Sequence, residues 1–154
     1  MKKIELTAID MARRFTGIKE IPGDGNNSLI VAMLQLDAPW FDQDSTAWCS
    51  SFVNFVCWLL DLPRSKSPAA RSWLLVGHEV KHRHESLIGF DVVILKRGTE
   101  PQPDETEINA PGHVGFFAGF VNDKVQLLGG NQSNTVSVAS YPIDKILGIR
   151  RLFE

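Results

Sequence analysis

The chain has 154 residues, 44% hydrophobic and 22% charged, with a formal net charge of −2 and a pI of about 6.1. That length suits one domain with one core, so residues 1–154 are expected to form a single unit. The near-neutral charge argues against a basic nucleic-acid binder, two cysteines exclude a disulfide framework, and no apolar run approaches the ~20 residues of a membrane span.

The amino terminus carries Lys2 and Lys3 but no apolar stretch after them, so no signal peptide is visible. Synthesis in the cytoplasm without a leader is the expectation. Ile9, Ala12 and Phe15 recur at helical spacing and predict a helix over 7–16, with Gly17 as its stop. Residues 21–27 (Ile-Pro-Gly-Asp-Gly-Asn-Asn) are a dense turn signal. Ser28 is placed to cap a short apolar helix through Leu36. A loop with Pro39 and Trp40 follows. Cys49 to Leu60 predicts a central helix, apolar around most of its circumference, with Ser45 or Thr46 as cap. Pro68 suits the first turn of another short helix ending near Gly77.

Beyond Gly77 the period changes. Residues 91–95, 114–120, 125–128 and 135–139 read as strands, with Asn122-Asp123 as a hairpin turn. Residues 98–112 form a polar loop with three prolines. Helices first and a mostly antiparallel sheet after them define an α+β layout.

The two cysteines read differently. Cys57, eight positions after Cys49 on the same helix, is about 12 Å away and cannot pair with it. It reads as a small core residue. Cys49 opens the helix, where unpaired backbone N–H groups and the helix dipole favour a thiolate. Asp42 and Asp44 would oppose that if close. A nucleophilic thiol needs a base, and the base needs an orienting acceptor. Of four histidines, His113 stands apart, between glycines at the start of an apolar strand. Asn131 follows one strand later, either as acceptor for the His113 ring or as a left-handed turn residue after Gly129-Gly130.

This order resembles the cell-wall cysteine peptidases of the NlpC type and the related CHAP amidases. The likeness rests on Lys19-Glu20-Ile21-Pro22-Gly23 with Asn26-Asn27, Trp48-Cys49-Ser50-Ser51-Phe52-Val53-Asn54 and Ala70-Arg71-Ser72-Trp73-Leu74. It continues through Lys96-Arg97-Gly98, Gly112-His113-Val114-Gly115-Phe116 and Gly129-Gly130-Asn131-Gln132. It implies a papain-like fold hydrolysing amide bonds of peptidoglycan stem peptides, with Cys49 as nucleophile, His113 as base and Asn131 as third member, and no cofactor. Gly129 stands where many CHAP domains carry a Glu. The segment Ile88-Gly89-Phe90-Asp91 departs from the usual Pro-x-x-Gly-Asp. Trp48, Trp40 and Trp73 are candidates for stacking on substrate, with core packing as the equal alternative. Arg71 is a candidate for a stem-peptide carboxylate, with a structural ion pair as the alternative.

Two other readings compete. His78-Glu79-x-x-His82 matches a zinc-peptidase signature, which needs both histidines on one helical face. Gly77 and the polar run after it argue instead for a solvated segment. A non-catalytic wall-binding domain is the third reading. A wall hydrolase without a leader would reach its substrate as a phage endolysin or an injected antibacterial effector. An effector would have a cognate immunity protein as partner.

Overall fold

The computed structural model describes residues 1–153. Helix α1 spans Ala8–Arg13. It opens with a capping box: the Thr7 hydroxyl accepts from the Asp10 N–H and the Asp10 carboxylate accepts from the Thr7 N–H, each at 3.2 Å. Gly17, at φ 89°, takes the left-handed turn that ends this segment. Helix α2 spans Ser28–Gln35, and its cap is Asn27 rather than Ser28, with Asn27 Oδ1 accepting from the Leu29 N–H at 3.0 Å.

Helix α3 spans Cys49–Leu59. Neither Ser45 nor Thr46 caps it: Trp48 occupies the cap position without any side-chain hydrogen bond to the first turn. The indole is held in the core instead, its Nε1 donating to Glu20 Oε1 at 2.9 Å. The first two turns of α3 are buried, as the apolar circumference predicts. The last turn is not, since Trp58 and Leu59 reach solvent and Trp58 stacks on Phe55. The segment after Pro68 is a 3-10 helix, Ala70–Leu75, rather than an α-helix. No helix among the described residues is long and apolar enough to cross a membrane.

Six strands follow: β1 (His78–Glu79), β2 (Asp91–Lys96), β3 (Gly112–Val121), β4 (Lys124–Gln132), β5 (Thr135–Pro142) and β6 (Ile146–Arg151). They form one sheet in the order β1-β6-β2-β3-β4-β5, every pair antiparallel. Four were expected. The short β1 and the mixed β6 acquire strand geometry by pairing, and β6 is further held where buried Asp91 accepts from Arg151 Nε at 2.8 Å and Nη2 at 2.9 Å.

Alternation along the strands supplies two cores. Val92, Ile94, Val114 and Phe116 pack with Phe52, Val53 and Val56 of α3, together with Ile9, Ile30 and Trp73. Val93, Leu95, Phe117, Val125, Leu127 and Ile149 form a second cluster, partly covered by Tyr141. Cys57 is buried in the first core as a free thiol, pushed up to about 12 by desolvation.

Helix α3 lies so close to β4 that Gly130 has no room for a side chain. A Cβ there would stand 2.6 Å from Trp48 Cζ3 and 2.8 Å from Phe52 Cβ. Gly130→Ala is therefore expected to lower stability by about 1–3 kcal/mol through overpacking, read as a reduced midpoint in urea unfolding.

Candidate active site

The uncapped start of α3 places Cys49 against the beginning of β3. The residue is 4% exposed. Burial pushes its thiol above the ordinary value. Backbone hydrogen bonds from Val114 and Ser50, the Arg97 charge and the residue's own N–H partly oppose that rise. Asp44 does not contribute. Its carboxylate is occupied by the N–H groups of Ile21 at 2.8 Å and Asn27 at 2.7 Å, which tie the 21–27 turn beneath the α3 approach.

His113 lies on β3, paired in register with Leu95 of β2. Its ring nitrogen Nε2 meets Gln132 Oε1 at 3.0 Å. The orientation of Gln132 follows from its own partners. Its amide nitrogen donates to the carbonyls of Leu127 at 3.2 Å and Ser137 at 2.6 Å. Its oxygen is thereby turned toward the Tyr141 hydroxyl, which donates to it at 3.0 Å, and toward the imidazole. An oxygen can only accept, so Nε2 carries the proton and Nδ1 is left as the basic nitrogen.

Asn131, the expected acceptor, is not the partner of His113. The pairing of β4 with β5 slips between Gly129 and Gln132, and Asn131 takes φ 56° in that irregularity. Both residues line the cleft, and it is the Gln132 side chain that reaches the imidazole. Gly129 makes this possible: a Cβ there would stand 3.1 Å from Gln132 Oε1. The missing carboxylate at position 129 is thus the space into which Gln132 folds. The signal was present in Gln132's place next to Asn131, but choosing between them required the bulge.

The other sequence candidates separate. Trp48 and Trp73 are fully buried core residues, Trp73 donating its indole N–H to Ser50 Oγ at 2.9 Å. Trp40 is 70% exposed, leans on Phe41, and is not among the residues lining the cleft. Among the described residues Arg71 forms no ion pair, and its full burial keeps it from the surface where a substrate would lie. It is fully buried and clamps the loop between β2 and β3, donating to the Pro111 carbonyl at 3.0 Å, the Pro103 carbonyl at 3.3 Å and Gln102 Oε1 at 2.9 Å. The zinc signature dissolves: His78 and Glu79 lie on β1, residues 83–85 form a 3-10 turn, and His82 stacks on His84. The two histidines therefore do not share a helical face, and no group of three potential ligands gathers among the described residues.

Three residues not singled out from the sequence surround His113. Tyr141, the only tyrosine of the chain, packs its ring 5.3 Å from the imidazole at 41°. Burial and the neighbouring Cys49 push its hydroxyl up to about 12, so it stays a hydrogen-bond donor. Lys145 and Arg97 line the same cleft, of about 360 Å³, and Arg97 acts electrostatically on Cys49, His113 and Tyr141 alike.

Burial holds His113 below the ordinary histidine value. The Gln132 hydrogen bond opposes that shift and the Arg97 charge adds to it. With the thiol raised and the imidazole lowered, the resting pair at neutral pH is thiol and neutral imidazole. A base must be unprotonated to act, and a lowered value keeps it so into more acidic solution. The acid limb of kcat/KM is therefore expected below about 6.5. Alkylation of Cys49 in the resting protein is expected to rise only above the ordinary thiol range. Stopped-flow iodoacetamide labelling across pH checks the second, and a pH–rate profile checks the first.

Helices packed on an antiparallel sheet, with a cysteine at a helix start against a strand-borne histidine, define a papain-like α+β fold. A solved structure shares it: NlpC1 from Trichomonas vaginalis, with a TM-score of 0.56 and 17% sequence identity over 99% of this chain and 47% of that chain. This chain spans about half the length of NlpC1, and at this identity the likeness is one of fold. No protein-family model and no curated protein matches the sequence.

Proposed function

We propose that the protein is a cysteine hydrolase of amide bonds in peptidoglycan stem peptides. The observation that carries this reading is the polar relay at His113: Nε2 is held at 3.0 Å by Gln132, which leaves Nδ1 free to act as a base, on a strand packed against the helix that Cys49 opens. A core histidine satisfied only for packing needs no acceptor whose own amide is locked by two carbonyls. Substrate class comes from the sequence likeness to NlpC-type and CHAP enzymes.

In this mechanism His113 Nδ1 takes the Cys49 thiol proton as sulfur attacks the amide carbonyl carbon. The carbonyl π electrons move to oxygen, and the backbone N–H of Cys49 is the donor proposed to receive the oxyanion. Collapse of the intermediate breaks the C–N bond. The imidazolium gives its proton to the leaving amine, leaving a thioester. Water, deprotonated by His113, then attacks the thioester, and the thiolate leaves and regains a proton. Gln132 holds the ring in one tautomer through both halves.

The deciding experiment incubates purified peptidoglycan with the protein and follows new amino groups together with soluble muropeptides by mass spectrometry. Release that is blocked by a thiol alkylator and not by a chelator supports the reading. No release from any peptidoglycan chemotype sinks it, and binding without cleavage would turn attention to the wall-binding alternative. The masses also identify the bond cut. Delivery as an endolysin or an injected effector is a matter for gene neighbourhood.

A further inference from the structure

The cleft beside His113 is one-sided in charge. Lys96, Arg97 and Lys145 line it, and no aspartate or glutamate does. Two of these cations have protein partners: Lys96 pairs with Glu100 at 3.4 Å, and Lys145 Nζ reaches the Gly98 carbonyl at 3.5 Å. Among the described residues no carboxylate pairs with the Arg97 guanidinium. Its backbone, by contrast, is held. Gln102 Nε2 donates to the Arg97 carbonyl at 3.4 Å and to the Thr99 carbonyl at 2.9 Å, and buried Arg71 holds the Gln102 side-chain oxygen. The exposed guanidinium thus shares the cleft with the His113 base and has no carboxylate partner among the described residues. A cation there stabilises the Cys49 thiolate but works against the imidazolium that His113 must become. A bound anion would remove the second effect.

We propose that Arg97, with Lys145 beside it, is a carboxylate-binding subsite, and that the preferred substrate carries a free carboxylate next to the amide bond that is cut. This rests on the hydrolase reading above and sharpens it. Arg97 presents a planar fork suited to holding a carboxylate by two parallel hydrogen bonds. The bound carboxylate neutralises the cleft when His113 takes on its proton. Substrate charge thus becomes part of the catalytic electrostatics, and an amidated analogue of the same shape leaves Arg97 uncompensated.

The test uses two synthetic stem peptides that differ only in whether the α-carboxyl group of the D-isoglutamyl residue is free or amidated. The wild-type protein is expected to cleave the acid with kcat/KM about tenfold or more above the amide, the ratio one charge-assisted hydrogen bond commands. Arg97→Gln brings that ratio close to one, and Arg97→Lys restores part of it. A purely structural role would slow both peptides alike and leave the ratio unchanged, which would overturn the proposal. Equal rates for the two peptides in the wild type would also overturn it.

Binding separates this idea from the hydrolase reading. Titrated into the Cys49→Ala protein by calorimetry, the acid peptide is expected to bind about tenfold tighter than the amide. Added salt should weaken that difference, and a second substitution, Arg97→Gln, should remove it. Such a difference without any cleavage by the wild type keeps the subsite and defeats the hydrolase. Equal binding of both peptides to the Cys49→Ala protein defeats the subsite whatever the cleavage assay shows.

Discussion

Cys49→Ala is expected to abolish the proposed amide hydrolysis, and His113→Ala to lower it by about 10²–10⁴-fold, the usual weight of a positioned general base. Both proteins are expected to keep the fold. Cys49 is buried but contributes only a sulfur atom to the core, and alanine keeps the helix start. His113 stands at the start of β3 after Gly112, its ring hydrogen-bonds Gln132 and packs on Tyr141, and both partners are held by other contacts when the imidazole is removed. The readout is amino-group release against thermal unfolding of the same preparations. Full activity in Cys49→Ala would remove the nucleophile assignment and with it the mechanism. The double variant should be no slower than Cys49→Ala alone, since groups that act on one bond are not additive.

Gln132→Ala is the second large effect, and it is expected to exceed that of any change at Asn131. The His113–Gln132 bond gains a formal charge when the imidazole is protonated, and bonds to charged groups contribute about 1.5–3 kcal/mol. Losing it predicts a fall in kcat of roughly ten- to a hundredfold. Asn131→Gly keeps the left-handed backbone of that position and should cost severalfold less. Gln132→Glu offers a second measure. A carboxylate in place of the amide favours the imidazolium, so the acid limb of the pH–rate profile moves up. It also puts an acceptor against the carbonyls of Leu127 and Ser137, which now receive the amide N–H groups, so stability falls. An unchanged acid limb in a folded Gln132→Glu protein would argue that Gln132 does not act on His113.

Tyr141 belongs to the same unit. It donates to the Gln132 oxygen and lies against the imidazole, covering the Nε2–Oε1 bond from one side. In the proposed mechanism its effect runs through Gln132 and the local dielectric, which makes it a positioning residue. The relay is built from three successive strands, β3, β4 and β5, and the β4–β5 irregularity between Gly129 and Gln132 sets how Gln132 meets its neighbours.

Much of this was readable in order along the chain. The first helix, the Gly17 stop, the buried first turns of α3, the hairpin at Asn122 and four of six strands follow from local periodicity and turn chemistry. So does the separation of Cys57 from Cys49, because helical rise alone keeps them apart. The sequence also placed a thiol at a helix start and a lone histidine between glycines at a strand start. What it lacked was register. Asn131 and Gln132 are adjacent letters, and a single bulge decides which one faces His113. Arg71 and Arg97 are both arginines in segments that carry the family likeness, and only three-dimensional neighbours assign one to a loop clamp and the other to the cleft. Trp48 and Trp73 look like substrate platforms until the helix and sheet close over them.

The physical reason is range. Caps, turns and amphipathic faces are set by residues within a few positions, so the amino-acid sequence by itself determined the elements, the α+β layout and the two candidate chemical groups, Cys49 and His113. Which side chain completes their hydrogen bonding, and which charges surround them, depends on strands that meet across long separations and on one irregularity in their pairing. Those were decided only when the sheet packed against α3 and left room at Gly129 for Gln132 and at Gly130 for Trp48.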